Sequence, residues 1–211
     1  MKTLICIPAL DTVHTLFLKS LLDMRKPEGT EIALSSSSLV YDSRNQLAEK
    51  AVKGGYNRVL WLDSDMFFEP DLLERFNADL DNGLDMVAGL FFTRKLPVRP
   101  CVYSRCELVE ENGVFVPTIE PAEYGTELFE AAACGFGAVA MKTDVLKKVM
   151  ANDFPFSPLP GFGEDFSFCL RARENGTRIF CDPTIRVGHI GISIINEDTY
   201  LQLKEAEKHG G

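Results

Sequence analysis

Three things are scarce in this sequence, and each scarcity removes a class of function. No apolar run approaches the ~20 residues that a membrane-spanning helix requires. The start MKTLICIPALDTVH carries neither the long apolar centre nor the cleavage site of a secretory signal. The expectation is a cytoplasmic chain with no membrane anchor. Positive charge is also short: 22 Lys and Arg stand against 31 Asp and Glu, a formal net charge of −9. That balance opposes docking on phosphate backbones or anionic headgroups and argues against nucleic-acid partners. CxxC spacing is missing as well. Cys6, Cys101, Cys106, Cys134, Cys169 and Cys181 are scattered among apolar neighbours, the pattern of buried thiols rather than a zinc cluster or redox pair. Cys101 and Cys106 are close enough in sequence to bridge in an oxidising compartment. There is no internal repeat, and Ser35 to Ser38 is the one low-complexity patch, too short to signal disorder.

What is present points to one α/β unit. A chain of 211 residues with 45% hydrophobic composition can bury a single sizeable core, so residues 1–211 are expected to form one domain. Over the first ninety residues strand and helix patterns alternate. Thr3 to Pro8, Glu31 to Ser37, Arg58 to Leu62 and Met86 to Phe92 read as strands. Between them lie helical patterns carrying Leu16 to Leu22, Leu47 to Val52 and Leu72 to Phe76. RVLWL is apolar on both faces, as a strand buried in a parallel sheet must be. After Arg94 the pattern turns to short strands, with Asn112-Gly113 suited to a hairpin turn. Further strands are expected at Leu128 to Ala133, Ala138 to Met141, Ile179 to Cys181 and Ile185 to Val187. Asp42, Thr143 and Asp165 are candidate helix caps. The working division is a nucleotide-binding half at 1–93, an acceptor-side half at 94–191 and a C-terminal amphipathic helix at 192–211, which leaves oligomerisation open.

Asp63 and Asp65 follow RVLWL two positions apart. In extended geometry both carboxylates would leave the sheet's carboxyl edge on one side, the edge where open α/β sheets bind ligands. Two close carboxylates repel, and a hard divalent cation relieves both while reaching diphosphate oxygens. The competing reading is a solvated turn. In the second constellation, Gly161-Phe162-Gly163-Glu164-Asp165, flexible glycines lead into two acids at a helix start, where the helix dipole favours ionised carboxylates. Asp165 suits a general base that takes the proton of an attacking hydroxyl, and Glu164 suits orientation of hydroxyl groups. Helix capping is the alternative for both. His189 sits between Gly188 and Gly191 after a strand. It is either structural or a third metal ligand beside Asp63 and Asp65. Mixed oxygen and nitrogen donors favour Mn2+, with Mg2+ as the alternative ion. Arg44 and Asn45 open a helix, where ligand contact and a solvated surface both fit. Most aromatic residues, Trp61, Phe67, Phe68, Phe91 and Phe92 among them, read as core. Phe162 alone suits stacking on a sugar.

In chain order, VLWLDSDMFFEPDLLERF, CGFGAVAMKTDVL, GFGEDFSFCLRARENG and VGHIG resemble the motifs of GT-A glycosyltransferases, over roughly Leu4 to Gly191. GFGED is similar to the glycine-aromatic-glycine-acidic segment of inverting galactosyltransferase-like enzymes and to the acidic pair of the family-two group. YDSRNQLA resembles the Arg-Asn region of family-two and mannosyltransferase-like enzymes. The resemblance implies a GT-A α/β fold with a mainly parallel sheet, flanking helices and a small antiparallel acceptor-side element. It also implies transfer of a sugar from a nucleotide-diphosphate donor, with UDP or GDP sugars favoured, to a glycan or other hydroxyl acceptor, with inversion at Asp165. Candidate donor contacts on this reading are Pro8, Arg44, Asn45, Asp63, Ser64, Asp65, Gly137, Phe162 and Gly163. Asp63, Asp65 and His189 would hold the metal. Two rivals remain: a haloacid-dehalogenase-like phosphatase, in which Asp63 would be the nucleophile, and a non-catalytic module that binds nucleotide-sugars or glycans.

Overall fold

The structure is a computed structural model and describes residues 1–94, 97–111 and 114–191. The expected hairpin turn at Asn112-Gly113 and the expected C-terminal helix at 192–211 lie outside the described residues.

In chain order the elements are β1 (Thr3–Ala9), α1 (Thr15–Asp23), β2 (Thr30–Ser36), α2 (Val40–Lys53), β3 (Arg58–Leu62) and β4 (Met66–Phe67). Then come α3 (Leu72–Asp81), β5 (Met86–Leu90), β6 (Val102–Glu111), β7 (Val114–Pro121), β8 (Phe129–Ala131) and β9 (Ala133–Cys134). The chain continues with β10 (Ala138–Lys142), α4 (Thr143–Met150), α5 (Glu164–Glu174), β11 (Ile179–Arg186) and β12 (Gly188–His189). A seven-stranded sheet runs β2-β1-β3-β10-β5-β11-β8. Five of those strands share one direction, while β10 runs antiparallel between β3 and β5 and β8 antiparallel at the edge. The sheet is therefore mixed and mostly parallel. It draws β10 and β11 from the second half of the sequence into a frame begun by the first.

The period of two along the strands decides what lies on each face. Leu4, Cys6, Val59, Trp61, Val139 and Met141 pack on the side covered by α2, α4 and α5. Ile5, Ile7, Leu60, Leu62, Ala138 and Ala140 pack on the side covered by α1 and α3. With both faces covered, β1, β3 and β5 are buried almost throughout, which is why they read as unbroken apolar runs. The small antiparallel element is the sheet β7-β6-β9. All six cysteines are free thiols. No described helix is long and apolar enough to cross a membrane.

Some local expectations need correction. The helix caps fall one or more residues before the proposed side chains: Leu39 precedes α2, Lys142 precedes α4 and Gly163 precedes α5, none with a side-chain cap bond. Asp42, Thr143 and Asp165 lie inside the first turns, where a carboxylate still meets the helix dipole favourably. The two strands expected at Ile179 and Ile185 form one, β11, with a register shift between Asp182 and Arg186. Pro183, which lacks an N–H, occupies that irregularity rather than a ladder position.

Candidate functional site

The candidate residues gather where β1, β3, β5 and β11 end and β10 begins, at the carboxyl edge of the parallel strands. Arg44 stands at the centre. It lies in the first turns of α2, and its side chain is only 2% exposed. Its Nη2 donates to Asp63 Oδ1 at 2.8 Å, and its Nε reaches Glu164 Oε1 at 3.5 Å. The guanidinium also lies over the rings of Phe136, Trp61 and Phe156, 5.3, 5.9 and 5.8 Å from their centroids. A buried cation is costly unless paired. Here the aromatic faces supply about 0.5–2 kcal/mol each and the acids supply the rest. Burial works against the Arg44 charge, but Asp63, Glu164 and Asp165 outweigh it and hold the guanidinium protonated. Its Nη1 is buried with no hydrogen-bond partner among the described residues. Of the two readings of Arg44, the solvated surface is excluded.

Asp63 leaves β3 with its amide bound to the Gly137 carbonyl at 3.1 Å. Asp63-Ser64-Asp65 is not extended, because Met66 N–H returns to Asp63 O at 3.2 Å and closes a turn. The carboxylates therefore diverge: Asp63 faces Arg44, whereas Asp65 faces Arg94 and His189. Burial raises the Asp63 carboxyl above its ordinary range, Arg44 opposes this, and Asp65 tips it up. Asp165 is raised to about 6, by burial first and by the Glu164 charge second, against a 2.9 Å bond from the Phe166 amide.

A two-residue ladder creates the second cluster. β12 pairs antiparallel with β4, setting His189 opposite Met66, and Ile190 N–H donates to Asp65 O at 2.8 Å. His189 Nε2 lies 3.4 Å from Asp65 Oδ2, while Nδ1 lies 2.9 Å from the Phe92 carbonyl. A carbonyl only accepts, so the Nδ1 proton is committed to it, and in the neutral ring the Nε2 lone pair faces a carboxylate. Burial pushes Asp65 up, but His189 and Arg94 hold it below its ordinary range, and the same contact raises His189. An imidazole fixed by a backbone carbonyl and aimed beside a carboxylate is the donor chemistry of a divalent-metal site. The pair fits such an ion. The full expected set is not assembled: among the described residues no three His, Cys, Asp or Glu side chains converge as a metal-holding group, because Asp63 is turned to Arg44.

The other candidates divide between scaffold and cluster. Pro8 is buried on β1, paired with Ser35. Asn45 accepts from the Phe156 amide at 2.9 Å and so fixes the loop whose ring lies under Arg44. Ser64 accepts from the His14 amide at 3.2 Å through its carbonyl. Gly137 does not open space for a ligand: a Cβ there would meet Phe91 Cζ at 2.8 Å and Met66 Cε at 2.9 Å. Close packing of rings requires that glycine, and Gly135 meets Phe91 in the same way. Phe162 is 6% exposed and packs against Phe166, so it is a core side chain rather than an open stacking face. Gly163 sits beside the Asp165 carboxylate, 3.2 Å from where its Cβ would be. Phe67, expected in the core, is instead 43% exposed, since β4 alternates Met66 inward and Phe67 outward. Sequence reasoning missed Arg94 as a partner of Asp65 and the aromatic bed beneath Arg44; the only signal was position, with Arg94 just beyond Phe91-Phe92.

No protein-family model matches the chain, and no curated protein matches it by sequence. Solved structures do. A197 from STIV is similar at 18% identity over 93% of this chain and 97% of that one, with a TM-score of 0.62. GalNAc-T7, solved with UDP, GalNAc and Mn2+, is similar at 13% identity and a TM-score of 0.64, over 97% of this chain and 48% of that one. The chain has the GT-A fold, an α/β architecture with a mixed, mostly parallel central sheet and a small antiparallel sheet.

Proposed function

We propose that this chain is a metal-dependent glycosyltransferase that moves a sugar from a nucleotide-diphosphate donor to a hydroxyl acceptor with inversion. The observation that carries the reading is the meeting of Asp63, Glu164 and Asp165 around buried Arg44, with Asp65 and His189 joined to them by one turn. The fold it shares with GalNAc-T7, a protein solved with UDP, GalNAc and Mn2+, supports the same reading. Residues 1–93 would bind the donor and 94–191 the acceptor, within one domain.

Asp65 and His189 would hold Mn2+, with Asp63 kept on Arg44 beside them. When bound, the ion would neutralise the departing diphosphate. Asp165, with a pKa near 6, is matched to accept a proton at neutral pH. The acceptor oxygen bonds to the anomeric carbon as the bond from that carbon to the diphosphate oxygen breaks. The hydroxyl proton passes to Asp165, and the bonding pair leaves with the nucleoside diphosphate. Glu164 orients donor or acceptor hydroxyls, Arg44 keeps Glu164 and Asp63 in position, and the Phe166 amide holds Asp165.

Incubating the protein with UDP and GDP sugars, Mn2+ and a panel of hydroxyl acceptors tests this, with the product's anomeric configuration read by NMR. Transfer with an inverted anomeric centre, lost in Asp165→Asn while nucleotide binding persists, is the expected result. A retained configuration would remove Asp165 from the base role. Nucleotide binding without turnover would favour a binding module, and phosphate release with labelling of Asp63 would favour a phosphatase.

A further inference from the structure

A cleft of about 490 Å³ opens between the end of β5, the end of β11 and residues 124–126, and nothing in the catalytic reading uses it. Its volume lies in the range that takes a small ligand. Phe92 and Tyr124 form one wall, ring centroids 6.0 Å apart and tilted at 66°, with Tyr124 44% exposed. Thr126 and Arg186 line it as well. The Arg186 side chain is exposed and has no hydrogen-bond or ion-pair partner among the described residues. Arg75, which flanks it, is already engaged with Thr184 Oγ1 at 2.6 Å. An unpaired guanidinium lining a cleft, in a chain of net charge −9, presents a fork of donors suited to a carboxylate or phosphate. An exposed aromatic ring with an apolar body and a polar tip suits the face of a sugar ring.

The cleft is joined to the site. Phe92, in its wall, supplies the carbonyl that fixes His189 at 2.9 Å. Val187, also in the wall, binds Leu90 O through its amide at 3.0 Å and leads directly into β12. We propose that this cleft is the acceptor subsite and that it takes a saccharide carrying an anionic group, with the ring against Tyr124 and the anion on Arg186. The acceptor assignment rests on the glycosyltransferase reading; the saccharide site does not.

Calorimetry on the full chain tests it, using methyl β-glucuronide, glucose 6-phosphate, neutral methyl β-glucoside and inorganic phosphate, with UDP and Mn2+ titrated in parallel. The charged sugars should bind about tenfold or more tighter than the neutral one, the loss expected for a charge-assisted hydrogen bond. Arg186→Gln and Tyr124→Ala, both at exposed positions, should each weaken that binding and leave UDP binding unchanged. The tighter of the two charged sugars identifies the anion as carboxylate or phosphate. Equal binding of charged and neutral sugars, or charged-sugar binding indifferent to both variants, overturns the proposal. Inorganic phosphate binding as well as glucose 6-phosphate also overturns it, leaving an anion site only. No charged-sugar binding beside intact UDP binding defeats the cleft alone, whereas charged-sugar binding without UDP binding keeps the saccharide site and defeats its role as an acceptor subsite.

Discussion

The two carboxylates of the Asp63-Ser64-Asp65 turn enter different environments. Asp63 joins an inner cluster in which a guanidinium is clamped by acids on one side and three aromatic rings on the other. Asp65 joins an outer cluster held by a two-residue ladder, with Arg94 half exposed. The inner cluster resists rearrangement because moving any member strands a buried charge. The outer one can exchange partners, since a surface ion pair is worth about 0–1 kcal/mol. A site that must accept a cation and release a diphosphate needs both: a fixed frame for the reacting groups and a rim that can change ligands.

Removing the inner cation should do the most damage. Arg44→Ala leaves Asp63, Glu164 and Asp165 uncompensated and should cost about 3–5 kcal/mol in denaturant unfolding. Arg44→Lys should recover little of that, because an ammonium can neither fork between two carboxylates nor stack as a guanidinium does. If lysine restores full stability, the contrast between the clusters is wrong.

Asp165→Asn should lower transfer by about 10²–10⁴-fold at unchanged nucleotide affinity. The wild-type rate should rise with pH through about 6 and level off above it, since the base must be deprotonated. Stability runs the opposite way. The folded pKa of about 6 exceeds the ~3.9 of an unfolded aspartate. The penalty is therefore absent below about pH 4, grows between about pH 4 and 6, and is complete above about 6. Asp165→Asn should thus match wild type in acid and be up to about 3 kcal/mol more stable at pH 8, as thermal melts would show.

Gly137→Ala should destabilise by about 1–3 kcal/mol through overpacking against Phe91 and Met66, read by the same melts. An innocuous alanine would mean that the glycine keeps space for something other than those side chains. The smallest effect is expected at the rim: Arg94→Ala should change stability by less than about 1 kcal/mol and, by freeing Asp65, should tighten Mn2+ binding measured by calorimetry.

The frame was legible in the sequence wherever burial on both faces forces an unbroken apolar run, as in β1, β3, β5 and β10. The acidic turn after RVLWL and the acids opening α5 were legible too, since they follow those elements directly. What escaped depends on partners far along the chain. Arg44 sits on a helix with an ordinary polar start, and nothing local tells that Phe136, Phe156 and Glu164 will close over it. The divergence of Asp63 and Asp65 comes from one backbone bond, Met66 to Asp63, that the expectation of an extended strand end did not contain. His189 meets Asp65 through a pairing of two-residue strands more than 120 positions apart, too short to leave a periodic signal. Phe162 differs from its expectation because glycine neighbours suggest an open ring, whereas the ring turns into the core.

The central claim is that the inner and outer clusters form one donor site, and the most direct test is a thermal-shift titration of the protein with UDP, GDP, CMP and ADP, with and without Mn2+. Ligand that binds only the folded state raises the melting temperature. One nucleotide diphosphate should stabilise the wild type in a manganese-dependent way, and Asp65→Asn and His189→Gln should each remove the manganese dependence. No stabilisation by any nucleotide at saturating concentration, or stabilisation unaffected by those two substitutions, would contradict the account.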